Sequence, residues 1–272
     1  MKIRGAKNFE LIAGSILALI IGIICIGGIF LSDQDQTAMD SLNRFRAPGF
    51  DHFLGTDNFG RDVFSRIAGG AGHTLLTALL TVGGSVLLGS ILGLLAGYIK
   101  GMADEIIMRL MDSLSSFPGI LLALLMVSLM ENNSFTLILA LLILFIPSFT
   151  RIMRNGMLQY ENREFILAAR IAGISDFRII FFHILPNLFP PLLSASVLGL
   201  SNAILAESTM SYLGLGIQPP LPSWGRMLSE SQAFLINAPW CALSPGFMIM
   251  LTVLAFHYMG EGLRKNSGLW NG

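Results

Sequence analysis

The chain has 272 residues, 53% of them hydrophobic and only 12% charged, with a mean hydropathy of +0.69. That is more apolar surface than one water-soluble core of this size buries, which makes a bilayer the expected solvent. Seventeen basic and 17 acidic residues cancel, excluding a global field directed at nucleic acid or an acidic partner.

Apolar runs long enough to be weighed against the ~20 residues needed to cross a bilayer occur six times. The first, Leu11 to Leu31, follows Lys2, Arg4 and Lys7, yet it is too long for a secretory signal and no small-x-small site follows it, so it is expected to stay as an anchor. An outer loop follows from Ser32 to about His73, in which Asp62 to Gly70 reads as a short amphipathic helix with Val63, Phe64 and Ile67 on one face. The second run, Thr74 to Tyr98, carries Gly89, Gly93 and Gly97 at four-residue spacing. That stripe clears one face for close approach by another helix, of this chain or of a partner subunit. Ser113 to Met130 is the third run and Phe135 to Phe149, which is short, the fourth. A loop from Thr150 to about Asn187 precedes the fifth run, Leu188 to Leu205; an outer loop from Ala206 to Trp240 precedes the sixth, Cys241 to Tyr258. In that loop Pro219, Pro220 and Pro222 add stiffness and Trp224 is expected at the membrane interface, as part of an outer gate or docking face.

Lys and Arg divide twelve to five between the two sides of these spans, which sets both termini and the 150–187 loop in the cytoplasm. The expected fold is all-α: six transmembrane helices, cytoplasmic termini, a cytoplasmic coupling loop and a periplasm-side amphipathic helix. Residues 1–70 hold the N-terminal tail, first span and outer amphipathic segment; residues 71–272 hold a five-helix core, with the coupling loop at about 151–187.

Several chemistries have no support. Every titratable group falls at or outside a span end, His257 being the nearest exception, so proton coupling lacks its usual mid-membrane side chain. His52, His73, His183 and His257 lack metal-site spacing. Cys25 and Cys241 fall at or inside apolar segments, where a thiol packs as a small hydrophobe. There is no G-x-x-x-x-G-K-[ST] phosphate loop and no G-x-S-x-G nucleophile elbow. No catalytic, cofactor or metal residue is therefore assigned.

The stretch REFILAARIAGISDFRIIFFHILPN, Arg163 to Asn187, is too polar to span but periodic enough for two short helices broken at Gly173, the second running from Asp176 to Leu185 and stopped at Pro186. A-A-x-x-x-G, nine residues, then H-x-L-P resembles the EAA loop of ABC importer permeases, with Ala168, Ala169, Gly173, His183, Leu185 and Pro186 at its positions and Leu167 where Glu is common. LGTDNFGRDVFSRI at Leu54 to Ile67 resembles a signature segment of the dipeptide, oligopeptide and nickel permease family, specifically its second, shorter membrane subunit. It carries Gly55, Thr56, Asp57, Gly60, Arg61 and Asp62. ESTMSYLGLGIQPPLPSWGRML at Glu207 to Leu228 resembles another, carrying Glu207, Gly214, Gly216, Pro219, Pro222, Trp224 and Gly225. The tail from Gly260 departs from the family pattern and is given no role.

That resemblance implies a bacterial inner-membrane subunit forming half of a translocation pathway. Its implied partners are a homologous permease, two cytoplasmic ATPase subunits that bind the ATP, and an extracytoplasmic substrate-binding protein. The implied cargo is a dipeptide or oligopeptide, or nickel or a metal chelate, toward which the short chain and REFILAAR lean slightly. The competing readings are a self-sufficient secondary carrier, since sodium could be held by backbone carbonyls alone, and a non-transporting scaffold.

Overall fold

A computed structural model describes residues 2–31 and 36–266, with side chains from 9 to 26 and from 36 to 266. Lys2, Arg4 and Lys7, which contribute to the basic count, have side chains outside that range, as does Ser32 altogether. Among the described residues the regular structure is helical: α1 (Lys2–Leu31), α2 (Val63–Ile99), α3 (Gly101–Ser116), α4 (Gly119–Leu129), α5 (Ser134–Glu161), α6 (Glu164–Ile171), α7 (Asp176–Ile179), α8 (Leu185–Tyr212), α9 (Trp224–Ser231) and α10 (Trp240–Asn266). Five of these, α1, α2, α5, the α7–α8 stretch and α10, are long and apolar enough to cross a membrane, and α3 with α4 makes a sixth as a pair bent by 90°.

The bend corrects the third expected run, Ser113 to Met130. Pro118 has no amide hydrogen and disfavours the helical region for the residue before it, so Phe117 turns extended at φ −83°, ψ 141° and the helix stops. α3 is instead an amphipathic helix docked by ion pairs: Arg154 of α5 meets both Asp104 oxygens at 2.5 and 2.6 Å, and Arg151 meets Asp112 at 2.9 Å. Thr150 to Glu161 accordingly belong to α5 rather than to a loop. The expected amphipathic helix at Asp62 to Gly70 is likewise no separate element: it forms the first two turns of α2, with Asp62 as N-cap accepting from the Ser65 amide at 2.8 Å.

α2 and α5 form the spine. A Cβ on Gly89 would lie 2.7 Å from Phe149 Cβ, on Gly93 2.4 Å from the Thr150 carbonyl oxygen, and on Gly97 2.8 Å from Met157 Cβ. The glycine stripe therefore faces a helix of its own chain, where small residues let backbones close up and gain dispersion contacts that lipid tails would otherwise supply equally well. α8 joins at the middle, with Val82, Phe149, Ala203 and Ile204 buried together. α1 packs on α10 through Gly14 against Met259 and Gly262 against Leu11, and Lys265 pairs with Glu10 at 2.5 Å. The start of α1 and the end of α10 thus lie at the same end of the molecule.

Candidate functional site

α6, the turn after it and α7 build an elbow at one end of the spans. α6 runs for only eight residues because Gly173 ends it. The Gly173 amide donates to the Arg170 carbonyl at 3.0 Å and the Ile174 amide to the Ala169 carbonyl at 3.1 Å, a Schellman closure with Gly173 in the left-handed region at φ +75°. Ile174 then packs beside Ala169 in a cluster with Met153, Met157, Ile166, Ile179, Ile184 and Leu188, fixing the elbow to α5 and the start of α8. Residues 180–184 form a π-helical turn that joins α7 to α8 without a break, so the second helix does not stop at Pro186 as expected; the widened turn lies directly before Pro186, which cannot donate to the preceding turn.

The sequence motif divides between two duties. Ala169 is buried and packs inward; His183 and Leu185 are half-buried, with His183 Nδ1 3.3 Å from the Arg178 carbonyl. Ala168, Gly173 and Pro186 are exposed. Around the tip large apolar side chains stand exposed among Arg170, Asp176 and Arg178: Ile171 is 88% and Phe177 68% exposed. Leu167, at the position where the motif often has Glu, is also on this surface.

Charged ties that the sequence did not single out hold the elbow to the spine. Glu161, nearly buried at the end of α5, pairs with Lys100 at 2.8 Å and Arg170 at 3.4 Å, and Arg170 lies 3.7 Å from Asp176. The Tyr98 hydroxyl donates to Asp176 at 3.0 Å. Lys100 itself adopts φ +59°, ψ −167°, a region nearly exclusive to glycine, at a cost of about 1–3 kcal/mol. A lysine gives no sequence signal for such a corner.

At the opposite end, the two outer signature segments meet. Asp57 Oδ1 accepts from the amides of Phe59 and Arg61, and its Oδ2 from the guanidinium groups of Arg61 and Arg66, both at 2.7 Å. Arg61 and Arg66 also reach Glu230 at 3.2 and 3.0 Å, and Arg226 reaches it at 3.2 Å. Burial pushes the Glu230 carboxyl up, but Arg66, Arg61 and Arg226 outweigh it and leave the group below its ordinary value. Asp62 adds His52 at 3.0 Å, Thr56 binds the Arg46 amide and the Asn43 carbonyl, and Gly55 and Gly60 turn the chain at φ +73° and +76°. These residues make a braced cap; the ties of Glu230 to Arg61 and Arg66 have no local signal because those residues lie 169 and 164 positions away, and His52 and Arg66 have none because their pairs with Asp62 and Asp57 bridge a turn rather than a helical period.

Glu207, Pro222, Trp224 and Gly225 lie inside this cap. Trp224 is fully buried and donates its indole hydrogen to the Ile67 carbonyl at 3.0 Å, which corrects its expected interfacial position: the first turns of α2 rise far enough to cover it. Gly225 crosses α8 closely, since a Cβ there would stand 2.2 Å from the Ser208 carbonyl oxygen. Gly214 closes the end of α8 at φ +81° and Gly216 packs on Ser211, while Pro219 stays exposed. Glu207 lies beyond the expected fifth run, Leu188 to Leu205, in the last turns of α8. α8 continues through Tyr212, which places Glu207 inside it, fully buried and accepting from Ser211 at 2.6 Å and Ser208 at 3.4 Å. Those hydroxyls offset the cost of removing the carboxyl from water.

A family profile described as binding-protein-dependent transport system inner membrane component matches residues 89–265. The chain is 40% identical over 258 residues to a dipeptide transport system permease protein of Alkalihalophilus pseudofirmus, covering 95% of this chain and 85% of that one. It is 38% identical to a glutathione transport system permease protein of Pectobacterium atrosepticum, covering 96% and 87%. Among solved structures it resembles, in fold, an inward-facing form of the MetNI methionine ABC transporter, with a TM-score of 0.62 at 16% identity over 73% of this chain and 94% of that one.

Proposed function

The chain belongs to the family of binding-protein-dependent transport system inner membrane components, and on that premise we propose that it forms one half of an import pathway for short peptides, driven by ATPase subunits docked at its elbow. It is a multi-pass inner-membrane permease of the ABC importer type, a kind of subunit that is not itself catalytic. Peptide cargo takes precedence over nickel or a metal chelate because the relatives above are named for dipeptide and glutathione transport. The remaining partners in this reading are a homologous permease, a pair of cytoplasmic ATPases and an extracytoplasmic binding protein, with ATP bound only by the ATPases.

The observation that carries the coupling proposal is the elbow itself. It presents Ala168, Ile171 and Phe177 outward while Ile166, Ala169 and Ile179 anchor it inward. Exposed apolar side chains on a rigid projection are costly in water unless a partner covers them. Closure of an ATPase dimer around such tips would pull the elbow, and its packing on α5 and its ties through Glu161 to α2 would carry the displacement into the spans as a rigid-body motion. On the outer side, the braced cap and the exposed Pro219 face are the surface on which the binding protein would release cargo.

The test is a photoreactive side chain placed at Phe177 in the assembled transporter. The reading requires a crosslink to an ATPase subunit whose yield changes between nucleotide-free and ATP-bound states. Crosslinking only to lipid would remove the docking role.

A further inference from the structure

Among the cavities lined by described residues are two sizeable ones that open on the spans. The larger, about 910 Å³ between α1, the outer segment and α10, is apolar; it is lined by residues such as Phe53, Leu243, Phe247 and Met250, and its Ser244 hydroxyl is already donated to the Trp240 carbonyl. It offers nothing to orient a polar cargo. The smaller, about 450 Å³, runs between α5 and α8 from Leu198 to Tyr160, with Arg264 of α10 at its rim. Its α8 wall is mostly apolar: Leu188, Pro191, Ala195 and Leu198. Its α5 wall carries Asn155 and Gln159, both exposed toward the groove's opening, and half-buried Tyr160, and none of these three side chains has a hydrogen-bond partner among the described residues.

Asn155 and Gln159 are four residues apart, so their amides stand one above the other on one helical face. Two primary amides so placed offer both donors and acceptors, the complement of a peptide backbone in extended form. The charged lining residue, Arg264, is paired with Glu261 at 2.7 Å. Recognition here would thus rest on backbone hydrogen bonding rather than on side-chain charge, which suits a pathway passing peptides of varied sequence. The volume lies within the range of about 300–1,000 Å³ typical of small-ligand sites, where a mainly apolar wall faces a few polar groups. The elbow cluster shares Leu188 with this groove, so movement of the elbow would reshape it directly.

We propose that the α5–α8 groove is a cargo subsite on the elbow side of the pathway, in which Asn155 and Gln159 hydrogen-bond the backbone of a di- or tripeptide. This deepens the peptide-import reading and rests on it. The experiment uses the complete transporter in proteoliposomes with a diazirine-bearing dipeptide, irradiated during turnover, and maps the adducts by mass spectrometry. Adducts on residues 155–160 or 188–198 that an unlabelled dipeptide competes away are expected. The pair Asn155→Leu with Gln159→Leu should lower uptake about tenfold, the loss of roughly one charge-free hydrogen bond, with Asn155→Gln keeping most of it. Uptake with adducts confined to other parts of the transporter overturns the subsite alone, as does a photoreactive side chain at Gln159 that captures the second permease instead of cargo. Wild-type vesicles that take up no peptide overturn the import reading as well.

Discussion

Gly173 ends α6 at φ +75°, and no atom lies within 4 Å of where its Cβ would stand. Its requirement is therefore conformational within this chain: a residue with a Cβ adopts the left-handed region at a cost of about 1–2 kcal/mol, and a β-branched one at more. Gly173→Val should leave membrane insertion intact and uncouple ATP hydrolysis from uptake, whereas Gly173→Asn, which tolerates this backbone, should keep most of the coupling. Measuring both activities in reconstituted protein checks this; equal failure of Asn and Val would mean that a partner's close approach decides the position. Glu230 gives a pH prediction of definite sign. Its folded pKa lies below the ordinary 4.5 because Arg66, Arg61 and Arg226 outweigh the effect of burial. Its contribution to stability is complete above that ordinary value and is lost as pH falls through the folded one. Thermal unfolding followed against pH should show an acid limb that Glu230→Gln flattens. Gly173 was legible because it interrupts a short helical period, but Lys100, in an equally special conformation, was not, since nothing about a lysine announces a positive φ.

At the scale of elements, the G-x-x-x-G-x-x-x-G spacing of α2 fixed a smooth face but not what the face meets. Spacing defines a direction on a helix; the partner depends on where α5 runs, and the short fourth run concealed that α5 continues to Glu161. The packing now makes a paired prediction. Gly93→Ala places a methyl 2.4 Å from a backbone carbonyl that cannot step aside, and should cost about 1–3 kcal/mol or more. Gly83→Ala meets nothing within 4 Å and should be neutral or slightly stabilising. Melting temperatures of the two purified variants separate these outcomes, and equal effects would contradict the α2–α5 contact. Proline signals the break at Phe117–Pro118, yet hydropathy does not fall there, so Ser113 to Met130 looks continuous in sequence. The charges that reveal α3 as a docked amphipathic helix, Asp104 and Asp112, lie before or at the edge of that run.

Across the whole molecule, the class and the membrane setting were readable from hydropathy and three motif segments. The joining of the two outer signatures into one cap through Asp57, Arg66 and Glu230 was not, because ion pairs across more than 160 residues leave no local trace. The basic asymmetry of the loops predicts a cytoplasmic elbow. A cysteine at exposed Ser175 should escape an impermeant thiol reagent in intact cells while one at exposed Asp51 is modified, and the reverse pattern would invert the topology. The central claim is that this subunit supplies a passage and borrows its motor through the elbow. Its most direct measurement is dipeptide accumulation in proteoliposomes holding both permeases, the ATPase pair and the binding protein, with ATP on the elbow side. Accumulation that requires ATP, survives collapse of ion gradients and is lost in Gly173→Val is the predicted result; accumulation driven by an ion gradient without ATP would contradict it.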